Sequence, residues 1–69
     1  KFFSIIMKNH GENKLNVIKT IRIILNLGLK ESKDFVENLP ATIKENSSKE
    51  EAEKIKKQLE DAGAIIELK

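Results

Sequence analysis

The sequence predicts an α+β fold: a two-layer β-α-α-β-α-β chain whose three-stranded antiparallel sheet carries three helices on one face. Three observations predict it. The two ends alternate apolar and polar residues with the period of a strand. Three internal segments repeat apolar residues with the period of a helix. Turn and cap residues mark the junctions, with no repeat, linker or low-complexity stretch between them.

Phe2–Lys8 reads as the first strand, with Phe3, Ile5 and Met7 on one face and Phe2, Ser4, Ile6 and Lys8 on the other. Asn9-His10-Gly11-Glu12 carries turn chemistry. The lone His10 is read as a solvated turn residue rather than a ligand or catalyst. Lys14–Leu25 reads as a helix with Asn13 as its N-cap, whose side chain can accept from free backbone N–H groups. Val17, Ile18, Ile21, Ile24 and Leu25 share one arc at about 100° per residue, which is the core face. Asn26 is suited to the left-handed conformation that ends a helix, and Gly28 to a sharp turn after it.

Lys30–Asn38 reads as a short second helix, with Leu29, Phe35, Val36 and Leu39 on its buried side. Pro40 stops it. Ala41–Glu45 is a short strand, marked by Thr42 and Ile43. Ser48 followed by Glu51 is a capping-box pattern that opens the third helix. Ala52, Ile55, Leu59 and Ala62 then recur at helical spacing until Gly63 closes it. Ala64–Lys69 is the last strand, with Ala64, Ile66 and Leu68 on one face.

Two helices between the first and second strands return the chain, which favours antiparallel pairing. One helix between the second and third leaves those two parallel. Placing the first strand in the middle satisfies both.

With 69 residues the chain is one small domain, 1–69, whose core leaves little stability to spare. It has no cysteine, so disulfides and thiolate chemistry are excluded. No apolar run approaches the roughly 18 residues of a membrane span, and no signal or transit peptide is visible. The absence of an initiator Met at Lys1 suggests a fragment or processed product. Charged residues make up 35% of the chain but the net charge is only +2. That is a surface of mixed sign, not the basic excess typical of a nucleic-acid domain. Many Lys, Ile and Asn residues suggest an AT-rich genome.

The outward face of the first helix breaks that mixture. Opposite its core arc sit Asn16, Lys19, Thr20, Arg22 and Asn26, together with the apolar Leu15 and Ile23, and Ile18 at the border. No acidic residue occurs from Lys14 to Lys30. An apolar spot ringed by cations can steer and hold an acidic partner, and Lys33 can extend it. The same pattern also fits an ordinary solvated face with scattered apolar residues. A second candidate surface is the outer face of the sheet, where Phe2, Ile6 and Ile65 form either a self-association patch or partly covered side chains.

Catalytic chemistry has no residues to run on. There is no nucleophile–base constellation, metal-ligand cluster or Gly-rich phosphate loop. Glu50, Glu51, Glu53, Glu60 and Asp61 mix with Lys54, Lys56 and Lys57 as surface helix pairs. The three Phe residues read as sheet or core rather than as base-stacking platforms.

Three motifs carry a family resemblance. Asn13-Lys14-Leu15-Asn16-Val17-Ile18-Lys19-Thr20-Ile21-Arg22 resembles the "NK-hydrophobic-x-VIK-x-hydrophobic-R" segment of the C-terminal domain of the bacterial-type large-subunit ribosomal stalk protein. Leu27-Gly28-Leu29-Lys30-Glu31-Ser32-Lys33-Asp34 is similar to that family's "LGLKEAKD". Ser48–Glu53 together with Asp61–Ala64 resembles its third helix and exit. The motifs fall in order, and the resemblance covers essentially the whole chain without a gap.

The resemblance implies the β-α-α-β-α-β fold and a domain hung from the large ribosomal subunit on a flexible hinge. It implies recruitment of translational GTPases (elongation factors Tu and G, initiation and release factors) and stimulation of their GTP hydrolysis without catalysis by the domain itself. The family's factor-binding positions correspond to Lys14, Leu15, Ile18, Lys19 and Arg22, then to Gly28, Leu29, Glu31 and Lys33. No cofactor, metal, membrane or direct nucleic-acid contact is implied. The ribosome would be held through an N-terminal region outside this sequence, so the domain alone would be a monomer and the full-length protein a dimer. The setting would be a ribosome of the bacterial cytoplasm or of a plastid-type or mitochondrial organelle. Two departures stand out: Leu25-Asn26-Leu27-Gly28 replaces "TGLG", and Ile23 replaces a small or polar residue. They predict a longer or shifted helix end and a more apolar patch. Two other functions fit less well. An rRNA-binding module would use the same cations, and a protease-adaptor domain of this architecture would need a polar pocket for a substrate terminus.

Overall fold

A computed structural model describes residues Lys1–Lys69. The elements are β1 (Phe3–Asn9), α1 (Lys14–Leu25), α2 (Leu29–Glu37), β2 (Ala41–Ser47), α3 (Lys49–Asp61) and β3 (Ile65–Leu68). The three-stranded sheet has the order β2-β1-β3, and both pairings are antiparallel. The predicted architecture and central strand are therefore those observed.

The alternation in β1 sets the two layers. Ile5 and Met7 are fully buried, while Ile6 between them is only half-buried. Against that inner face pack Val17, Ile18 and Ile21 from α1, Val36 from α2, and Ala52, Ile55 and Leu59 from α3. Burying one such aliphatic side chain contributes roughly 1.5–3 kcal/mol, so these few residues dominate the stability of so small a domain. Ile24, Leu25, Phe35 and Leu39 lie half-buried at the core's edge.

Helix α1 has the predicted bounds, but its ends differ in quality. Asn13 occupies the N-cap position without a side-chain capping bond. Asn26 adopts the left-handed conformation (φ 54°, ψ 46°), and its N–H donates to the Arg22 carbonyl. The helix thus ends where Asn26 permits, and Leu25 does not prolong it.

Helix α2 starts one residue earlier than predicted. Gly28 is its N-cap, with an ordinary extended backbone (φ −71°, ψ 170°) rather than a conformation reserved for glycine. The Gly28 N–H donates to the Glu31 carboxylate at 3.2 Å, half of a reciprocal cap. Leu29 is the first residue of the helix and is 61% exposed, not buried as predicted. Its place against the core is taken by Ser32, which is fully buried with no partner for its hydroxyl.

Strand β2 runs two residues further than predicted. Register shifts opposite Phe3–Ile5 and Ile5–Ile6 insert extra residues on its side of the ladder. Asn46 turns left-handed there (φ 56°) and carries Ser47 back into the core. In α3 the Ser48 hydroxyl accepts from the Glu51 N–H at 3.2 Å. The Glu51 carboxylate does not return the bond; it accepts from Lys44 at 2.7 Å instead. Gly11 (φ +68°) and Gly63 (φ +111°) bring two turns together, and a β-carbon on Gly11 would collide with the Gly63 carbonyl oxygen. β3 spans Ile65–Leu68, shorter at both ends than the predicted Ala64–Lys69, although Ser4 and Lys69 still exchange backbone hydrogen bonds.

Candidate functional site

Helical pitch places Leu15, Lys19, Arg22 and Ile23 within an arc of about 100° on the solvent side of α1. Leu15 is 68% exposed and Ile23 is 81% exposed. Lys19, Arg22, Ile23, Asn26 and Leu27 together line a shallow hollow at the C-terminal end of the helix. The left-handed Asn26 makes it, because it folds Leu27 back beside the last turn.

The charges on this face are unspent. Ion pairs join Lys8 to Glu67, Lys14 to Glu37, Lys44 to Glu51 and Lys56 to Glu60. Lys19, Arg22, Lys30 and Lys33 enter none of them. Only one of the pairs, Lys56–Glu60, has the helical spacing expected for α3. The Lys44–Glu51 pair also affects the Glu51 carboxyl. The hydrogen bond from Lys44 is the main cause holding it below the ordinary carboxylate range.

The expected site residues do not all sit alike. Leu15, Lys19 and Arg22 are exposed together on α1. Leu29 and Lys33 are exposed on α2. Lys14 is half-buried and turned to the far end of α2, with its ammonium 3.1 Å from the Glu37 carboxylate. Ile18 is 6% exposed and offers the face almost no area. Gly28 and Glu31 are exposed, but their visible work is to cap α2.

Sequence reasoning missed two features. Leu27 lines the hollow beside Lys19, and no periodicity signals it because it lies beyond the helix. A groove also runs between the end of α1 and the outer side of α3, lined by Ile23, Ile24 and Leu25 and by Lys54, Ile55 and Gln58. Its walls lie some thirty positions apart in the chain, so only the fold brings them together.

Elsewhere the surface is less suggestive. On the outer face of the sheet Phe2 is 70% exposed and Ile65 57% exposed, while Ile6 between them is half-buried. A Lys8–Glu67 ion pair at 3.4 Å also joins the central β1 to the edge strand β3. The His10 ring nitrogen Nδ1 donates to the Gly11 carbonyl at 2.6 Å, as a turn residue would. No group of three acidic or His side chains could hold a metal ion, and no helix is long and apolar enough to cross a membrane.

The fold and this helix face define a class of small two-layer α+β domains that present an exposed cationic and apolar helix surface. Comparison with known proteins narrows that class. Residues 3–69 match the family described as the ribosomal protein L7/L12 C-terminal domain. The chain is 60% identical over 67 residues to the large ribosomal subunit protein bL12 of Thioalkalivibrio sulfidiphilus, covering 97% of this chain and 54% of that protein. It is 61% identical over 66 residues to bL12 of Coxiella burnetii, covering 96% and 52% respectively. Against bL12 of Legionella pneumophila the identity is 58% over 67 residues, covering 97% and 53%. The chain belongs to the ribosomal protein L7/L12 C-terminal domain family. This is a family of ribosomal proteins rather than of enzymes. The chain spans about half the length of the curated relatives it matches.

Proposed function

We propose that residues 1–69 are the factor-binding domain of a large-subunit stalk protein, which recruits translational GTPases to the ribosome and helps stimulate their GTP hydrolysis. The observation that carries this reading is the face of α1 on which the unpaired Lys19 and Arg22 are flanked by the exposed Leu15 and Ile23. Free cations draw an acidic surface in quickly, and exposed aliphatic groups hold it once water is expelled. Leu29 and Lys33 at the start of α2 continue the surface. Gly28 and Glu31 cap the start of α2, and Ile18 lies buried beneath the face.

The face is small and solvated, so the contact is weak and transient, below roughly 1,200 Å² in total. That suits a module that must hand over one factor after another. Attachment to the ribosome, and dimerisation, would be supplied by an N-terminal region outside this sequence. The relatives above are all bacterial, which supports a ribosome of the bacterial cytoplasm over an organellar one.

Backbone amide shifts of the labelled domain, recorded while an elongation factor is added, test the reading. The expected changes cluster at Leu15, Lys19, Arg22, Ile23 and Leu29. Changes confined to the outer face of the sheet, or none at all, would defeat it.

A further inference from the structure

We propose that Ile23 carries the factor contact over the end of α1 into the groove against α3, where it helps seat an apolar side chain of the same GTPase partner. The inference rests on the factor-binding role of α1 and adds a second subsite to it.

Ile23 is the most exposed large apolar residue of the chain, at 81%. It lines both the cationic hollow and the α1–α3 groove, so it forms the ridge between them. On one side of the ridge stand Lys19 and Arg22, neither of them paired. On the other side the groove has an apolar floor, made by the half-buried Ile24 and Leu25 and by Ile55, which is 7% exposed. At its rim Lys44 and Glu51 neutralise each other at 2.7 Å. The remaining rim charges, Glu50 and Lys54, are opposite in sign. The groove therefore exerts no net pull of its own, and its contribution is contact area.

This division of labour defines the occupant. A partner segment whose carboxylates meet Lys19 and Arg22 is drawn in by charge, and Ile23 lies within one helical turn of both. An aliphatic or aromatic side chain on that same segment then lies within reach of the Ile23 ridge and can drop into the groove behind it. A purely acidic segment would satisfy the hollow and leave the groove empty.

The test uses the domain with labelled isoleucine methyl groups and an elongation factor loaded with a non-hydrolysable GTP analogue. The methyls of Ile23, Ile24 and Ile55 should shift on titration together with the Lys19 and Arg22 amides, while those of the fully buried Ile5 and Ile21 stay still. Ile23→Ser should weaken binding about tenfold and leave the thermal midpoint unchanged, since the side chain is already in water. If Lys19→Ala and Arg22→Ala weaken binding but Ile23→Ser does not, and the groove methyls stay still, the subsite is refuted and the factor-binding role survives. If none of the three variants weakens binding, the factor-binding role itself fails. Groove methyls that shift with the domain's own concentration, without partner, would assign the groove to a second copy and overturn the inference.

Discussion

Glu37→Gln should tighten the complex with a translational GTPase, although Glu37 lies outside the proposed contact face. The reason is the position of Lys14. Its ammonium is 3.1 Å from the Glu37 carboxylate, so it reaches any acidic partner as half of an ion pair. A partner carboxylate about 4 Å from the Lys14 ammonium gains about 1 kcal/mol in a water-like dielectric. Glu37, roughly 7 Å from that same partner group, returns a repulsion of about 0.6 kcal/mol. Removing the charge on Glu37 should therefore strengthen binding two- to threefold, as an order-of-magnitude figure, at low ionic strength. Near ~0.15 M salt the screening length is about 8 Å, which cuts the gain by more than half. The cost to folding is small. Both side chains are about two-fifths exposed (41% and 40%), and pairs of this kind contribute under about 0.5 kcal/mol once screening is counted. The assay is a titration of labelled domain with an elongation factor at two salt concentrations. An affinity that is unchanged or weaker at low salt would place Lys14 outside the contact.

Three further predictions concern the fold that positions the site. Ser32→Ala should raise stability by up to about 1 kcal/mol, because it deletes a buried hydroxyl with no partner; a lower thermal midpoint would mean the hydroxyl is satisfied. Gly11→Ala should cost about 1–3 kcal/mol through its positive φ and its clash with the Gly63 carbonyl, and chemical denaturation would reveal any milder effect. The Glu51 carboxyl should titrate below the ordinary carboxylate range by NMR, and Lys44→Met should return it upward. Since its folded pKa is lowered, its contribution to stability is complete above the ordinary carboxylate range and disappears as pH falls through the lowered value.

The parts of this fold that periodicity governs were legible in the sequence, and the parts set by single-residue packing choices were not. Twelve consecutive residues from Lys14 to Leu25 keep one apolar arc, and the helix has those bounds. The start of α2 carries no such run. Gly28 and Glu31 begin the helix one residue early, and Leu29 at its first position is left exposed. In β2 the alternation ends at Ile43, whereas the pairing continues past two extra residues on the β2 side, the left-handed Asn46 preceding the buried Ser47 opposite Phe3. A bulge of this kind leaves no mark in the hydrophobic pattern. The candidate site divides in the same way. Leu15, Lys19, Arg22 and Ile23 share a face by helical arithmetic alone. The pairing of Lys14 with Glu37, and the groove against α3, arise between elements distant in sequence.

Those long-range contacts also change the weight of each cation. Lys14, Lys19 and Arg22 look equivalent along the sequence, but of the three only Lys14 is held in an ion pair in the fold. Measuring the affinity of an elongation factor for Lys19→Ala and Arg22→Ala, with circular dichroism confirming the fold, therefore tests the central claim most directly. Each variant should bind several-fold more weakly at low salt, with a shallower salt dependence than the parent domain. Unchanged affinity and salt dependence in both variants would contradict the assignment of this face.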